Sequence, residues 1–386
     1  MVQAMRRSVL AWACLLAACT KSPQQPTTTP PTAATEPVAA DTPAPTEPAP
    51  EPAAEVAKQE NEPDPVGPAR IRPLTPSKLA IFTASPEDDP VDVRLGVTKE
   101  RRGKHYLAGN EKTPQAFYPY IKDVGGGYVG VGSDQAYLLI GWARPEVAWL
   151  IDYDRDVVDI HAVYALFFEH ADTPAELLAL FDEEHKQRAT DLIRAAHEGE
   201  RGDHLAMLYR QNRGWIRRRL QGLSRRLAKA SIPSVFDDQA TYDYVRSLLE
   251  AGRVRPLLAN LLEDGGVKGV AGAAQRMGVT VRVLYLSNAE EYWKAYPQNF
   301  RDNIAALPFA DDATVLRTLL IWDVNQDYRY NIQPARNFLE WLAQPYTGNV
   351  YDIVYDRGTP DPAVINVSET DKPPELSPAA RRAAGT

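Results

Sequence analysis

Tyr128-Val129-Gly130-Val131-Gly132-Ser133-Asp134-Gln135, followed by Val147-Ala148-Trp149-Leu150-Ile151-Asp152, decides the fold of this chain. The first run reads as a short strand over residues 128–132. Ser133-Asp134 then caps a helix over about 135–143, because short polar side chains accept hydrogen bonds from the open N–H groups of a first helical turn. The second run is apolar throughout, as in a strand covered on both faces, and it ends on a carboxylate. A long helix follows, with Ile160, Tyr164, Phe167 and Phe168 along its buried side.

Outward from this unit the alternation pauses for a largely helical insertion and then resumes. Residues 254–258 form a strand candidate, 266–277 a helix of small residues, and 279–286 a β-branched strand. Residues 315–322 form another strand, and 334–342 a helix opening on Pro334, a residue suited to the first helical position. Strands alternating with helices predict an α/β domain with a mostly parallel sheet and flanking helices. The domain is expected over 79–355, and its opening part, 79–120, reads as a helix and loop that cap it.

In an open parallel sheet, ligands sit beyond the strand C-termini, near helix N-termini. Gly130 and Gly132 lie at such a place, and Asp152 follows about twenty residues on, where these folds put a ribose-binding acid. Ligand approach and tight-turn geometry both account for the two glycines. The pattern lacks a third glycine after Gly132-Ser133-Asp134-Gln135. A complete GxGxxG at Gly125, Gly127 and Gly130 precedes the strand instead of following it, and is discounted.

Residues 128–135, Arg144-Pro145, Ile151-Asp152 with Arg155, Asp159, His161 and Tyr164, and Leu284-Tyr285-Leu286-Ser287-Asn288-Ala289-Glu290-Glu291-Tyr292 resemble an uncharacterised bacterial family. The likeness extends through Asn303 to Pro308 and Tyr330-Asn331-Ile332-Gln333. Members of that family resemble class I, S-adenosylmethionine-dependent methyltransferases in fold, so a Rossmann-like domain is implied. The resemblance makes S-adenosylmethionine the candidate cofactor. It places ligand-binding candidates at Gly130, Gly132, Asp134, Gln135, Asp152, Arg155, His161, Ser287, Asn288 and Tyr292. In that arrangement Asp152 holds a ribose, and His161 or Tyr292 orients a substrate. The chain departs from the family pattern at Ala136, where relatives carry Asn, and at Ala259-Asn260, where they carry Asp.

Ser287-Asn288-Ala289-Glu290 ends the strand over 279–286. Either Ser287 or Asn288 faces a substrate or, the preferred reading, caps a helix containing Tyr292 and Trp293. No GxSxG surrounds Ser287, which argues against a serine hydrolase. The six His are scattered without HExxH or paired ligand spacing, so no metal site is expected. Asp323-Val324-Asn325-Gln326-Asp327 opens like a calcium loop, but Tyr328 and Pro334 occupy the positions of the turn glycine and the bidentate Glu. Residues 215–229 read as a basic helix with Ile216, Leu220, Leu223 and Leu227 on one stripe. A solvated basic face over a packed stripe is preferred there to membrane binding.

The N-terminus sets the expected compartment. Arg6 and Arg7 precede an apolar run ending in Leu16-Ala17-Ala18-Cys19. This is a secretory signal over 1–18, too short to span a bilayer. Its ending resembles the bacterial lipoprotein signal, which implies acylation of Cys19, palmitate among the chains. Cys14 leaves with the signal, so the mature domain is expected to have no thiol and no disulfide. Residues 19–78, rich in Pro, Ala, Thr and Glu, read as a disordered tether, and 356–386 as a disordered tail. A formal charge of −8 argues against nucleic-acid binding. Two functional expectations follow. The preferred one is a lipid-anchored cell-envelope protein, at the outer membrane facing the periplasm or the exterior. It would use the domain to bind a small-molecule ligand or an envelope protein without catalysis. The other is methyl transfer to an unknown substrate.

Overall fold

β-Branched and aromatic residues recur with a period of two in the strand segments, and each strand sends alternate side chains into two separate apolar layers. Tyr128, Leu150, Val283 and Tyr285 point to one side, and Val129, Trp149, Leu284 and Leu286 to the other. The computed structural model describes residues 71–91, 105–320, 326–354 and 367–371. The signal, Cys19 and the tether as far as residue 70 lie outside these, as do residues 321–322 and most of the expected tail.

The strands are β1 (Gly127–Val131), β2 (Val147–Asp152), β3 (Val254–Leu258), β4 (Val281–Ser287), β5 (Phe309–Leu320), β6 (Tyr328–Pro334) and β7 (Val367–Glu369). They form one sheet in the order β3-β2-β1-β4-β5-β6-β7. The first five run parallel, and β6 turns back antiparallel on β5 with β7 parallel to β6. This is the expected α/β architecture with a mostly parallel sheet.

The helices are α1 (Pro76–Thr83), α2 (Tyr118–Ile121), α3 (Asp134–Ala143), α4 (Arg155–His170), α5 (Pro174–Ala179) and α6 (Lys186–Ala196). After them come α7 (Gly199–Lys229), α8 (Gln239–Glu250), α9 (Gly266–Met277), α10 (Gln298–Ala306), α11 (Ala335–Leu342) and α12 (Val350–Ile353). Helices α2 to α8 cover one sheet face, where Tyr137, Tyr164, Phe167, Phe168, Tyr209 and Tyr242 pack as an aromatic layer. Helices α1 and α9 to α12 cover the other, around Trp149, Phe300 and Phe338. Among the described residues, no helix is long and apolar enough to cross a membrane.

Four sequence readings need correction. The fold starts ahead of residue 79: Leu74 is buried, and Thr75 caps α1 by accepting from the Lys78 N–H. Pro73 and Pro76 resemble the tether, but a proline at a helix start costs no hydrogen bond. Strand β5 begins at Phe309, six residues before the expected start. Asp311 and Asp312 gave that part the look of a loop, although Arg282 pairs with Asp312. Strand β6 was not expected, because its alternate residues Arg329, Asn331 and Gln333 are polar, yet all three are buried. Strand β7 falls inside the expected tail. Three residues carry no readable periodicity.

The segment after α1 is anchored by one side chain. The Asp88 carboxylate accepts from the N–H groups of Asn260, Gly265 and Gly266, at 2.8, 3.1 and 2.8 Å. It supplies negative charge to the turn that opens α9, where the helix dipole favours an anion.

Candidate functional site

Strand order reverses at β1. The chain moves from β1 outward to β2 and β3, then returns to place β4 on the other side of β1. The crevice of such a fold lies where β1 and β4 end, between α3 and the turn that follows β4. Gly130, Gly132, Asp134, Gln135, Asp152, His161 and Ser287 all fall around it.

The glycines have internal roles here. A Cβ on Gly130 would come within 2.2 Å of the Tyr128 hydroxyl, so the missing side chain makes room for a buried phenol ring. Gly132 has φ +87°, in the region open to glycine, and lets the chain turn from β1 into α3. Its N–H donates to Asp152 Oδ2 at 3.2 Å, while the Asp154 N–H donates to Oδ1 at 3.0 Å. Burial pushes the Asp152 carboxyl up to about 7, against the opposing effect of these N–H groups.

His161 reaches the same turn from α4. Its Nε2 lies 3.1 Å from the Gly132 carbonyl, and its Nδ1 lies 2.9 Å from the Tyr137 hydroxyl. A carbonyl only accepts, so Nε2 carries the proton, and in the neutral ring Nδ1 accepts from the phenol. Burial pushes the imidazole down to about 4 from its ordinary 6.5. An unfolded chain takes up this proton as pH falls through 6.5, and the folded one does so only near 4. The contribution to stability is therefore complete above pH 6.5 and is lost as pH falls to about 4, on the order of 3 kcal/mol. His161→Gln should flatten that part of the pH dependence when urea midpoints are compared at pH 7.5 and 4.5. An equal acid loss in the variant would assign it to other groups.

On the α3 side of the crevice sits a buried ionic network that the sequence did not announce. Arg219, from the middle of α7, donates from Nε to Asp134 Oδ2 at 3.2 Å and from Nη2 to Gln135 Oε1 at 2.9 Å, and its Nη1 donates to the Glu111 carbonyl. The Glu111 carboxylate, 3.6 Å from Nη2, accepts at Oε1 from the Tyr285 and Ser287 hydroxyls, at 2.9 and 3.1 Å. Gly109 N–H completes the shell of Asp134 at 2.5 Å. Burial alone would lower the guanidinium's pKa, but the Asp134 and Glu111 charges outweigh it and the net shift is upward. Burial and then the Glu111 charge hold the Tyr285 phenol well above its ordinary value, so it remains a donor.

The cluster after β4 also differs from expectation. Residues 289–292 form one 3-10 turn, and neither Ser287 nor Asn288 caps it by side chain. Ser287, with φ +49°, turns its hydroxyl to Glu111. The Asn288 Nδ2 lies 3.5 Å from the hydroxyl of Tyr292, which is exposed. Arg155 pairs at the surface with Glu87, at 2.9 Å. Tyr106, Tyr153 and Tyr292 are all exposed at this strand edge. Partial covering of the Tyr153 ring and then the Asp152 charge push its phenol up to about 12, with Tyr292 and Tyr106 close enough to add to it.

A second buried network backs the turn from the other sheet face. Arg317 of β5 donates to Glu290 Oε2 at 2.6 Å, Asn331 Oδ1 at 2.8 Å and Gln333 Oε1 at 2.6 Å, and lies over the Phe338 ring at 4.5 Å. Tyr296 donates to the other Glu290 oxygen at 2.5 Å.

Sequence reasoning missed Glu111, Arg219 and Arg317. A signal for Arg219 existed: it stands three residues after Ile216 and four before Leu223, on the stripe read as apolar, and it is buried. Glu111 lies in irregular chain, where no periodicity marks it.

No curated protein matches this chain. Residues 106–371 match the model of a domain of unknown function, DUF7790. That match takes in every strand of the sheet and both networks around the crevice, well over half of the 386 residues, and the chain belongs to the DUF7790 family.

Proposed function

We propose that this is a lipid-anchored cell-envelope protein whose Rossmann-like domain binds a ligand or partner at its strand C-terminal edge without catalysing a reaction. One observation carries the reading: the crevice is built up from within, while its rim exposes tyrosines. Glu111 joins Tyr285 and Ser287 at the end of β4, and Arg219 joins Asp134 and Gln135 at the start of α3. Tyr106, Tyr153 and Tyr292 remain exposed beside them. Tyrosine combines a large apolar ring with a polar tip and favours binding surfaces. The anchor rests on Arg6, Arg7 and the sequence closing at Cys19.

The site offers S-adenosylmethionine little beyond Asp152: the space beside Gly130 is filled by the Tyr128 phenol, and the turn lacks a third glycine. Asp152, where a ribose would be held, accepts one N–H at each oxygen and keeps a further lone pair on each. The methyl-transfer reading keeps one observation in its favour, the placement of this acid at the end of β2 beside the Gly132 turn.

Calorimetric titration of the full chain with S-adenosylmethionine and its demethylated product should give no saturable heat. In cells, labelled fatty acid should enter the wild type and not Cys19→Ser. Micromolar affinity that disappears in Asp152→Ala would restore the methyltransferase reading, and fatty-acid labelling of Cys19→Ser would remove the anchor.

A further inference from the structure

At the start of α4, away from the Glu111–Arg219 network, two imidazoles from separate segments converge on three carboxylates. Asp154, Asp156 and Asp159 come from α4 and its cap, His204 from α7, and His105 from the segment preceding α2. Asp156 stands between the two rings: Oδ1 is 3.0 Å from His204 Nε2, and Oδ2 is 3.3 Å from His105 Nε2. His204 Nε2 also lies 3.5 Å from Asp159 Oδ2. The ligand-type atoms of Asp156, Asp159 and His204 all lie within 4.8 Å of one another.

These separations suit a shared ion. Nitrogen and oxygen atoms about 2.0–2.2 Å from a tetrahedral zinc-class ion lie roughly 3.3–3.6 Å apart. The charges point the same way. Asp154 and Asp159 are buried and Asp156 is largely covered. Arg201 reaches only Asp159 Oδ1, at 3.2 Å, and leaves Oδ2 facing His204. Three carboxylates face a single guanidinium, and a divalent cation would cancel the negative charge left over. His105 braces Asp156 from outside this group. Its Nδ1 faces the Asp154 carboxylate at 2.7 and 2.9 Å, and its Nε2 faces Asp156 Oδ2. An outer contact of this kind fixes the orientation of a ligating carboxylate.

We propose that Asp156, Asp159 and His204 bind one divalent transition-metal ion at the start of α4, with His105 bridging Asp154 and Asp156 behind them. Mixed imidazole and carboxylate donors select zinc, cobalt, nickel, manganese or iron over calcium or magnesium, which prefer oxygen alone. The spacing rules of sequence reading pass over the site, because His204 lies far along the chain from the two carboxylates.

The test uses the untagged full chain and Co²⁺ as probe at pH 7.5, following visible absorption and then displacement by Zn²⁺. The wild type should develop a ligand-field band that saturates at one Co²⁺ per chain and collapses when Zn²⁺ is added. Asp156→Asn and His204→Ala should each abolish the band, and Asp154→Asn should weaken affinity about ten- to a hundredfold. Melting temperatures in chelator establish that the variants fold. His204 is partly exposed at the surface, so its removal spares the core. Absence of a band in the folded wild type would overturn the proposal and leave protonated imidazoles as the counter-charge. A band unchanged in both Asp156→Asn and His204→Ala would overturn it equally, placing the ion elsewhere.

Discussion

Arg219→Met should lower the unfolding free energy by about 3–5 kcal/mol, the typical cost of stranding a buried charge. The guanidinium serves the Asp134 carboxylate, the Gln135 amide oxygen and the Glu111 carbonyl at once, and it stands beside the Glu111 carboxylate. Met has similar length and fills the space, so the loss reports charge and hydrogen bonding rather than a cavity. Asp134 is fully buried and, among the described residues, would keep as donors only the Gly109 N–H and the Ser133 hydroxyl, the latter at 3.4 Å. Urea unfolding measures the effect, and adding Asp134→Asn should recover part of it. A loss below about 1 kcal/mol would mean that water or rearrangement satisfies the carboxylates.

Arg317→Met should show a loss of the same order, about 3–5 kcal/mol, through a different set of partners. Here the stranded group is Glu290, which is buried and, among the described residues, would keep only the Tyr296 hydroxyl. Asn331 and Gln333 would each lose a donor, and the contact with the Phe338 ring would lose its cation. Among the described residues the Arg317 Nη2 atom has no hydrogen-bond partner, which holds the wild-type network below its full worth. Combining Arg317→Met with Glu290→Gln should therefore be milder than the single change. If the double variant is less stable than the single one, the pair is not what holds this turn.

The sheet was legible wherever its strands lie under helices on both faces. Residues 147–152 match β2 and 266–277 match α9, because burial on both sides leaves a near-continuous apolar run in the strand and a clean period in the covering helix. Legibility failed on the far edge, where β6 pairs antiparallel with β5 and its residues Asn331 and Gln333 serve Arg317 instead of an apolar core. Around the crevice, the sequence singled out Gly132, Gln135, Asp152, His161 and Ser287, and the structure places them around one strand-end region. The sequence did not identify their partners. Capping is the commonest use of residues such as Ser287 and Asn288 at a strand end, and the distant Glu111 gives Ser287 another. A pairing across 176 residues leaves no trace in local spacing.

The anchoring of Asp88 bears on how the fold comes apart. This one carboxylate gathers three N–H groups of the β3–α9 turn and so joins the chain's first described helix to a strand made much later in synthesis. Such a joint closes a long loop, and its entropy has to be met before the contact is rewarded. Helix α1 is therefore expected to dock late in folding and to detach early in unfolding, while β1, β2 and β4 hold the centre. The protein's first opening under stress would then expose the turn before α9 and the indole of Trp149, against which Phe82 packs at 5.2 Å between ring centres.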